Sequence, residues 1–133
     1  MDPQGLRHAL ERLAMVYPDR TGIALDVQGT QHVRRLGEEQ EMQVFLIVQE
    51  ALANIAKHSG ATEVTVCFQF SGQKLFILIR DNGSWQPPAE SAGEQTGTLN
   101  MRTRLERLGG EFSIDGQPDG TTVQFAIPTH QSP

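Results

Sequence analysis

The sequence predicts an α+β fold, a two-layer α/β sandwich in which a mixed, mostly antiparallel sheet is covered on one face by three helices. Three observations predict it. Residues 5–17 and 38–58 carry apolar side chains at helical spacing, and a third, shorter helical pattern runs from Met101 to Leu108. Several short segments alternate apolar and polar residues and are separated by glycine-containing turns, as antiparallel strands are. The stretch from Asp81 to Thr98 is rich in Gly, Pro, Ser, Gln and Glu and has no periodicity, so it reads as a long functional loop rather than an ordinary connection.

Taken in order, Leu6, Ala9, Leu10, Leu13 and Val16 form one apolar helix face, and Pro18 is the expected stop after Tyr17. Ile23, Leu25 and Val27 alternate before Gly29-Thr30, with Val33 and Leu36 beyond, which predicts a short hairpin. From Glu38 to His58 there is neither Gly nor Pro, and Met42, Phe45, Val48, Leu52 and Ile55 share a face, so a long helix packed on a sheet is expected, closed by Ser59-Gly60. Val64, Val66, Phe68 and Phe70 alternate with polar residues, Ser71-Gly72 turns the chain, and Leu75 to Ile79 is almost continuously apolar. After the long loop, Met101, Leu105 and Leu108 predict a helix ended by Gly109-Gly110. Phe112 to Ile114 and Val123 to Ile127 predict a last strand pair, joined by a turn over 115–120. No repeat or linker interrupts the 133 residues, which predicts a single domain over 1–133 with a lid loop at about 84–98 and a polar tail at 129–133.

Composition excludes several classes of function. Lys and Arg number 11 against 16 for Asp and Glu, a net charge of -5, so broad binding to nucleic acid is not expected. One cysteine, Cys67, allows no internal disulfide. No segment has the length of apolar sequence that crosses a bilayer and the N-terminus lacks a secretory pattern, so a soluble, cytoplasmic domain without membrane contact is expected.

Three constellations carry chemistry. On the long helix, Glu50, Asn54, Lys57 and His58 fall within a stripe about 100° wide. A carboxylate and a carboxamide one turn apart suit Mg²⁺, and the Lys and His suit the phosphates that share it. Periodicity alone gives a solvated helix face the same pattern. At the end of an apolar strand, Arg80-Asp81-Asn82-Gly83 brings a carboxylate to a turn where it can accept a hydrogen bond from an adenine amino group, and Gly83 permits close approach. The same tetrapeptide also makes an ordinary strand-ending turn. Gly97-Thr98-Leu99 leads straight into a helix, whose first N–H groups can meet a polyphosphate or be capped by Thr96 or Thr98.

In this fixed order the motifs resemble one family. The run from Gln49 to Ala61 resembles the N-box of sensor histidine kinases of the nitrate/nitrite-sensing group, within the ATPase superfamily shared with gyrase, Hsp90 and MutL. Asp81-Asn82-Gly83 is similar to the first glycine box, Gly97 to Met101 to the second, and Met101 to Arg104 with Leu108-Gly109-Gly110 to the helix that follows. Gly120 to Pro128 is similar to the closing strand. The resemblance spans Gly5 to Pro128 and implies the Bergerat ATP-binding fold.

It also implies roles. Asn54 would coordinate Mg²⁺, Glu50 would orient a metal-bound water or assist proton transfer, and Lys57 and His58 would face the phosphates of ATP. Asp81 would bind the adenine amino group with support from Thr121, Gly83 would allow close approach, and Gly97, Thr98 and Leu99 would begin the phosphate-side helix. The implied activity is transfer of the γ-phosphoryl group of Mg-ATP to a histidine on a separate dimerisation domain, with a response regulator downstream. His8, His32, His58 and His130 lack the context of a phosphoaccepting histidine, so the chain is expected not to autophosphorylate alone, and to be either a piece of a longer kinase, for which an inner-membrane sensor is one form, or a protein that acts on a separate partner. With no segment resembling the dimerisation helices, a monomer is expected. Departures are Ser84-Trp85 where a second glycine is common, Gln95 where relatives have Gly, and Thr98 where they have Leu. Two other readings stay open: a serine kinase of the anti-sigma-factor type, against which Lys57-His58-Ser59 and the Met101 to Gly110 helix speak, and a degenerate nucleotide-binding interaction module, which the altered lid keeps open.

Overall fold

A computed structural model describes residues 5–30, 36–84 and 103–129. The elements are α1 (Gly5–Thr21), β1 (Ala24–Gln28), α2 (Glu38–His58), β2 (Glu63–Ser71), β3 (Lys74–Asp81), a helical segment α3 over 103–108, β4 (Glu111–Gln117) and β5 (Gly120–Pro128). The five strands form one sheet in the order β1-β2-β3-β5-β4. Only the β1–β2 pair is parallel, and the other three are antiparallel.

Strand alternation sorts the sheet into two faces. Val64, Val66 and Phe68 of β2, Leu75, Ile77 and Ile79 of β3, and Val123, Phe125 and Ile127 of β5 are all fully buried. They join Leu6, Leu10 and Tyr17 of α1, Val44, Ile47, Val48, Ala51, Leu52 and Ile55 of α2, and Leu105 of α3 in one core. The intervening strand residues, such as Thr65, Phe76, Leu78 and Gln124, are only part-buried. The helices therefore cover one face, as the expected two-layer sandwich requires.

Several expectations need correction. Pro18 does not end α1, which continues to Thr21. A proline lacks the N–H that would donate one turn back, but its carbonyl still accepts, and one more turn is held by Gly22, whose N–H donates to the Pro18 carbonyl at 2.9 Å from a left-handed φ of 75°. Where a hairpin was expected, β1 pairs with β2, in parallel, across α2, and residues 31–35, which would carry the return strand, lie outside the described residues. Val33 lies outside the described residues, and Leu36 sits in coil, its N–H donating to the Glu41 carboxylate at 2.9 Å to tie down the start of α2. The core face of α2 is turned toward Val44, Ile47 and Ala51, leaving Met42 38% exposed. The last hairpin is longer and tighter than expected, with Gln117 opposite Gly120 across residues 118–119.

Candidate nucleotide-binding site

Period-two alternation along β3 delivers the central feature. Leu75, Ile77 and Ile79 point into the core, and the next inward position is Asp81, which is only 1% exposed. Directly across on β5 the inward row begins with Thr121, 4% exposed and in register with Asp81. Val64 flanks Asp81 on the other side. A carboxylate buried among apolar residues is costly unless it has polar partners, so this is not an ordinary solvated turn residue.

The exit of β3 is fastened to the end of α2. Ser59 caps the helix, its hydroxyl donating to the Ile55 carbonyl at 2.9 Å and accepting from the Ala61 N–H at 3.0 Å. The Ser84 N–H donates to the Ser59 carbonyl at 3.0 Å. Asn82 holds the same corner: its side-chain oxygen accepts from the N–H groups of Thr62 (2.8 Å) and Glu63 (3.1 Å), and its amide donates to the Thr62 hydroxyl at 2.9 Å. The close approach expected at Gly83 is made by the protein's own backbone. A Cβ there would run into the Ser59 carbonyl and come within 2.8 Å of the Ala61 nitrogen. The exit of β3 just after Asp81 is thereby tied to the C-terminal cap of α2, the end of the helix toward which the polar stripe runs.

Glu50 and Asn54 are part-buried and Lys57 is exposed on that stripe. Glu50 and Asn54 stand one turn apart, about 6 Å along the axis. The Asn54 side-chain amide nitrogen is buried and has no hydrogen-bond partner among the described residues. Which end of a carboxamide is nitrogen is an assignment, so the observation is a buried, unsatisfied carboxamide end able to present either a donor or an oxygen ligand. No three His, Cys, Asp or Glu side chains converge among the described residues. The Asn54 carboxamide end can offer a single oxygen to a cation that completes its shell with water and phosphate, the habit of Mg²⁺. His58 ends α2, and its side chain lies outside the described residues, as do Gly97, Thr98, Leu99, Trp85, Gln95 and the rest of 85–102.

Two features were not anticipated. Tyr17, on the inward face of α1, donates from its hydroxyl to the Leu52 carbonyl of α2 at 2.7 Å. Its place in the series Leu6, Leu10, Leu13, Tyr17 was a readable signal of burial. Burial, and after it the negative charge of Asp81, pushes its phenol up to about 12 from 10.0. The second is a polar link from α2 to α3, in which Arg104 donates to the Gln43 side-chain oxygen at 2.9 Å and Gln43 donates to Glu39 at 2.7 Å. Gln43 is 7% exposed, a burial that its sequence position did not announce.

Tyr17 is the chain's single tyrosine, so its ionisation can be followed cleanly by near-ultraviolet absorbance. The expected midpoint is near 12, and Asp81→Asn should lower it by removing the neighbouring charge. Because the folded value lies above the unfolded one of 10.0, the stability this phenol contributes is complete below pH 10.0 and is lost as pH rises toward about 12. A midpoint at 10.0 in the folded protein would contradict this placement.

Residues 39–131 match the family model for the histidine kinase-, DNA gyrase B- and HSP90-like ATPases. The signal transduction histidine-protein kinase/phosphatase DegS of Brevibacillus brevis is 33% identical over 129 residues, 96% of this chain but 33% of that protein. UhpB of Salmonella typhimurium, also named a signal transduction histidine-protein kinase/phosphatase, is 37% identical over 93 residues, 70% of this chain and 18% of its own length. The chain thus spans a third or less of these relatives. Among solved structures, the histidine kinase domain of the blue-light activated histidine kinase of Erythrobacter litoralis superposes with a TM-score of 0.78 at 23% identity, covering 93% of this chain and 65% of that one. The catalytic domain of the histidine kinase ThkA superposes at 0.63 with 13% identity, covering 96% and 93%. At these identities the structures establish a shared fold.

Proposed function

The chain belongs to the histidine kinase-, DNA gyrase B- and HSP90-like ATPase family, as an ATP-binding domain of the sensor histidine kinase type, and from that premise we propose how its residues take part in phosphoryl transfer. Asp81 accepts a hydrogen bond from the adenine amino group, and the Thr121 hydroxyl opposite supports it. Asn54 would give its side-chain oxygen to Mg²⁺, and Glu50, one turn away, would orient a metal-bound water or assist proton transfer. Lys57, exposed on the same stripe, would face the phosphates, while the parts expected of His58, Gly97, Thr98 and Leu99 fall on side chains outside the described residues. The observation that carries this reading is Asp81, a carboxylate 1% exposed at the last inward position of β3, where the strand's exit is tied to the cap of α2.

The reaction moves the γ-phosphoryl group of ATP to an imidazole nitrogen on a separate dimerisation domain. A P–O bond to the β-phosphate breaks, its electron pair leaves with ADP, and a P–N bond forms on the acceptor. Mg²⁺, when bound, neutralises charge on the phosphates. The protein's own part is positioning: an adenine anchor at one end, a carboxamide and a cation at the other, and a fixed distance between them. A response regulator would take the phosphoryl group onward, and the domain would work in the cytoplasm. No described helix is long and apolar enough to cross a membrane.

Incubation with labelled ATP, Mg²⁺ and a histidine-bearing dimerisation domain should yield acid-labile phosphate on that domain, and none on the chain alone. Label on a serine-bearing partner, stable to acid, would contradict histidine transfer. Asn54→Ala should lower the rate about 100-fold or more and flatten its dependence on Mg²⁺. A variant with unchanged Mg²⁺ dependence would remove Asn54 from the metal site.

A further inference from the structure

Away from the proposed nucleotide stripe, α1 and α2 part to leave a groove of about 430 Å³. On α2 it is lined by Phe45, Leu52, Ala53 and Ala56, a stripe about 140° around the helix from Glu50 and Asn54. Leu13 and Val16 of α1 form the facing wall. Ala53 and Ala56 are exposed, and side chains this small leave room for another backbone to come close. The polar content is one-sided. Among the described residues, the charged ones lining the groove are Arg12 and Arg20, in a chain of net charge -5. Both are exposed, and neither forms an ion pair among the described residues, whereas Arg7 and Arg80 do.

We propose that this groove seats an amphipathic helix of a partner protein, apolar on the face that enters and acidic on its flanks. The dimensions fit: from Ala9 to Thr21 the α1 wall is about 18 Å long, or about three turns of a docked helix. Arg12 and Arg20 are separated by about 12 Å along α1, so acidic side chains two turns apart on the occupant meet both. Such a helix lays its i, i+4 and i+7 residues against Leu13, Val16 and Phe45 and adds a third member to the α1–α2 pair. Charge selects among occupants. A basic helix is repelled, and a second copy docking by its own α1 would set Arg12 and Arg20 against like charges. The seat is independent of the nucleotide reading, since it uses neither Asp81 nor Asn54.

The test uses two fluorescent, stapled helical peptides of about four turns, identical in their leucine face and carrying either glutamate or lysine on both flanks. Titrated with the full chain, the glutamate peptide should bind at least about tenfold tighter than the lysine peptide. The charge-reversal double variant Arg12→Glu, Arg20→Glu should invert that preference, and Ala53→Leu, which fills the groove, should weaken the glutamate peptide about tenfold or more while leaving binding of an ATP analogue unchanged. Circular dichroism checks that both variants stay folded. Equal binding of the two peptides, no binding of either, or a preference that survives charge reversal would overturn the proposal. So would self-association of the chain in sedimentation that Ala53→Leu abolishes, or displacement of the peptide by dodecanoate that proves equally sensitive to Arg12 and Arg20, which would assign the groove to a second copy or to a fatty anion.

Discussion

Asp81→Asn is expected to weaken binding of a non-hydrolysable ATP analogue by about 30- to 150-fold, the loss of about 2–3 kcal/mol that follows when a charge-assisted hydrogen bond is removed from a desolvated site. The substitution keeps the shape of the side chain and replaces half of its acceptors with a donor. That donor would confront the adenine amino group, itself a donor. The fold should survive the change, because the neighbours Val64, Ile79 and Thr121 keep their packing and burying a neutral amide costs less than burying a charge. Calorimetry reads the affinity and thermal unfolding reads the fold. An affinity within threefold of wild type, in a protein that melts normally, would take Asp81 out of the adenine site.

The largest stability effect at the site should come from Gly83. In Gly83→Ala the new methyl has no room: the Ser59 carbonyl and the Ala61 nitrogen at 2.8 Å are both backbone, and neither can swing aside as a side chain would. Relief requires moving the exit of β3 away from the α2 cap, which strains the Ser84 to Ser59 hydrogen bond of 3.0 Å and the Asn82 contacts with Thr62. Overpacking of this kind costs about 1–3 kcal/mol, visible as a lower urea midpoint. Nucleotide affinity should fall with it, since the same movement carries Asp81 away from α2. Gly116→Ala is the control, because a Cβ there meets nothing within 4 Å. Equal stability of the two variants would show that the β3 exit is not clamped.

The sequence made some of this legible and hid the rest for identifiable reasons. The bounds of α2 were readable at both ends, because acidic residues open it, Ser59-Gly60 closes it, and neither Gly nor Pro interrupts it. Its core face was misjudged by part of a turn: Met42 was placed on it and Val44 was not, and only the position of the sheet decides between them. The overrun of α1 past Pro18 depended on a glycine cap one turn later. The partner of β1 was hidden because parallel pairing is non-local, and nothing in a strand's own residues names the strand beside it. At the site, phase was the informative signal. Counting by twos from Leu75 places Asp81 on the core side of β3 and makes it unlike a surface Asp-Asn-Gly turn. What counting could not supply was the α2 cap as the second reason for Gly83, the Asn82 bracket, or Tyr17 reaching Leu52, since each joins segments far apart in the chain.

The most direct test is calorimetric titration of the wild-type chain with a non-hydrolysable ATP analogue in the presence and absence of Mg²⁺. One site per chain is expected, with a Kd between about 1 µM and a few hundred µM, a binding free energy of about -5 to -8 kcal/mol, weakened when Mg²⁺ is withheld. Absence of binding up to millimolar nucleotide, in a chain that is folded by circular dichroism, would contradict it.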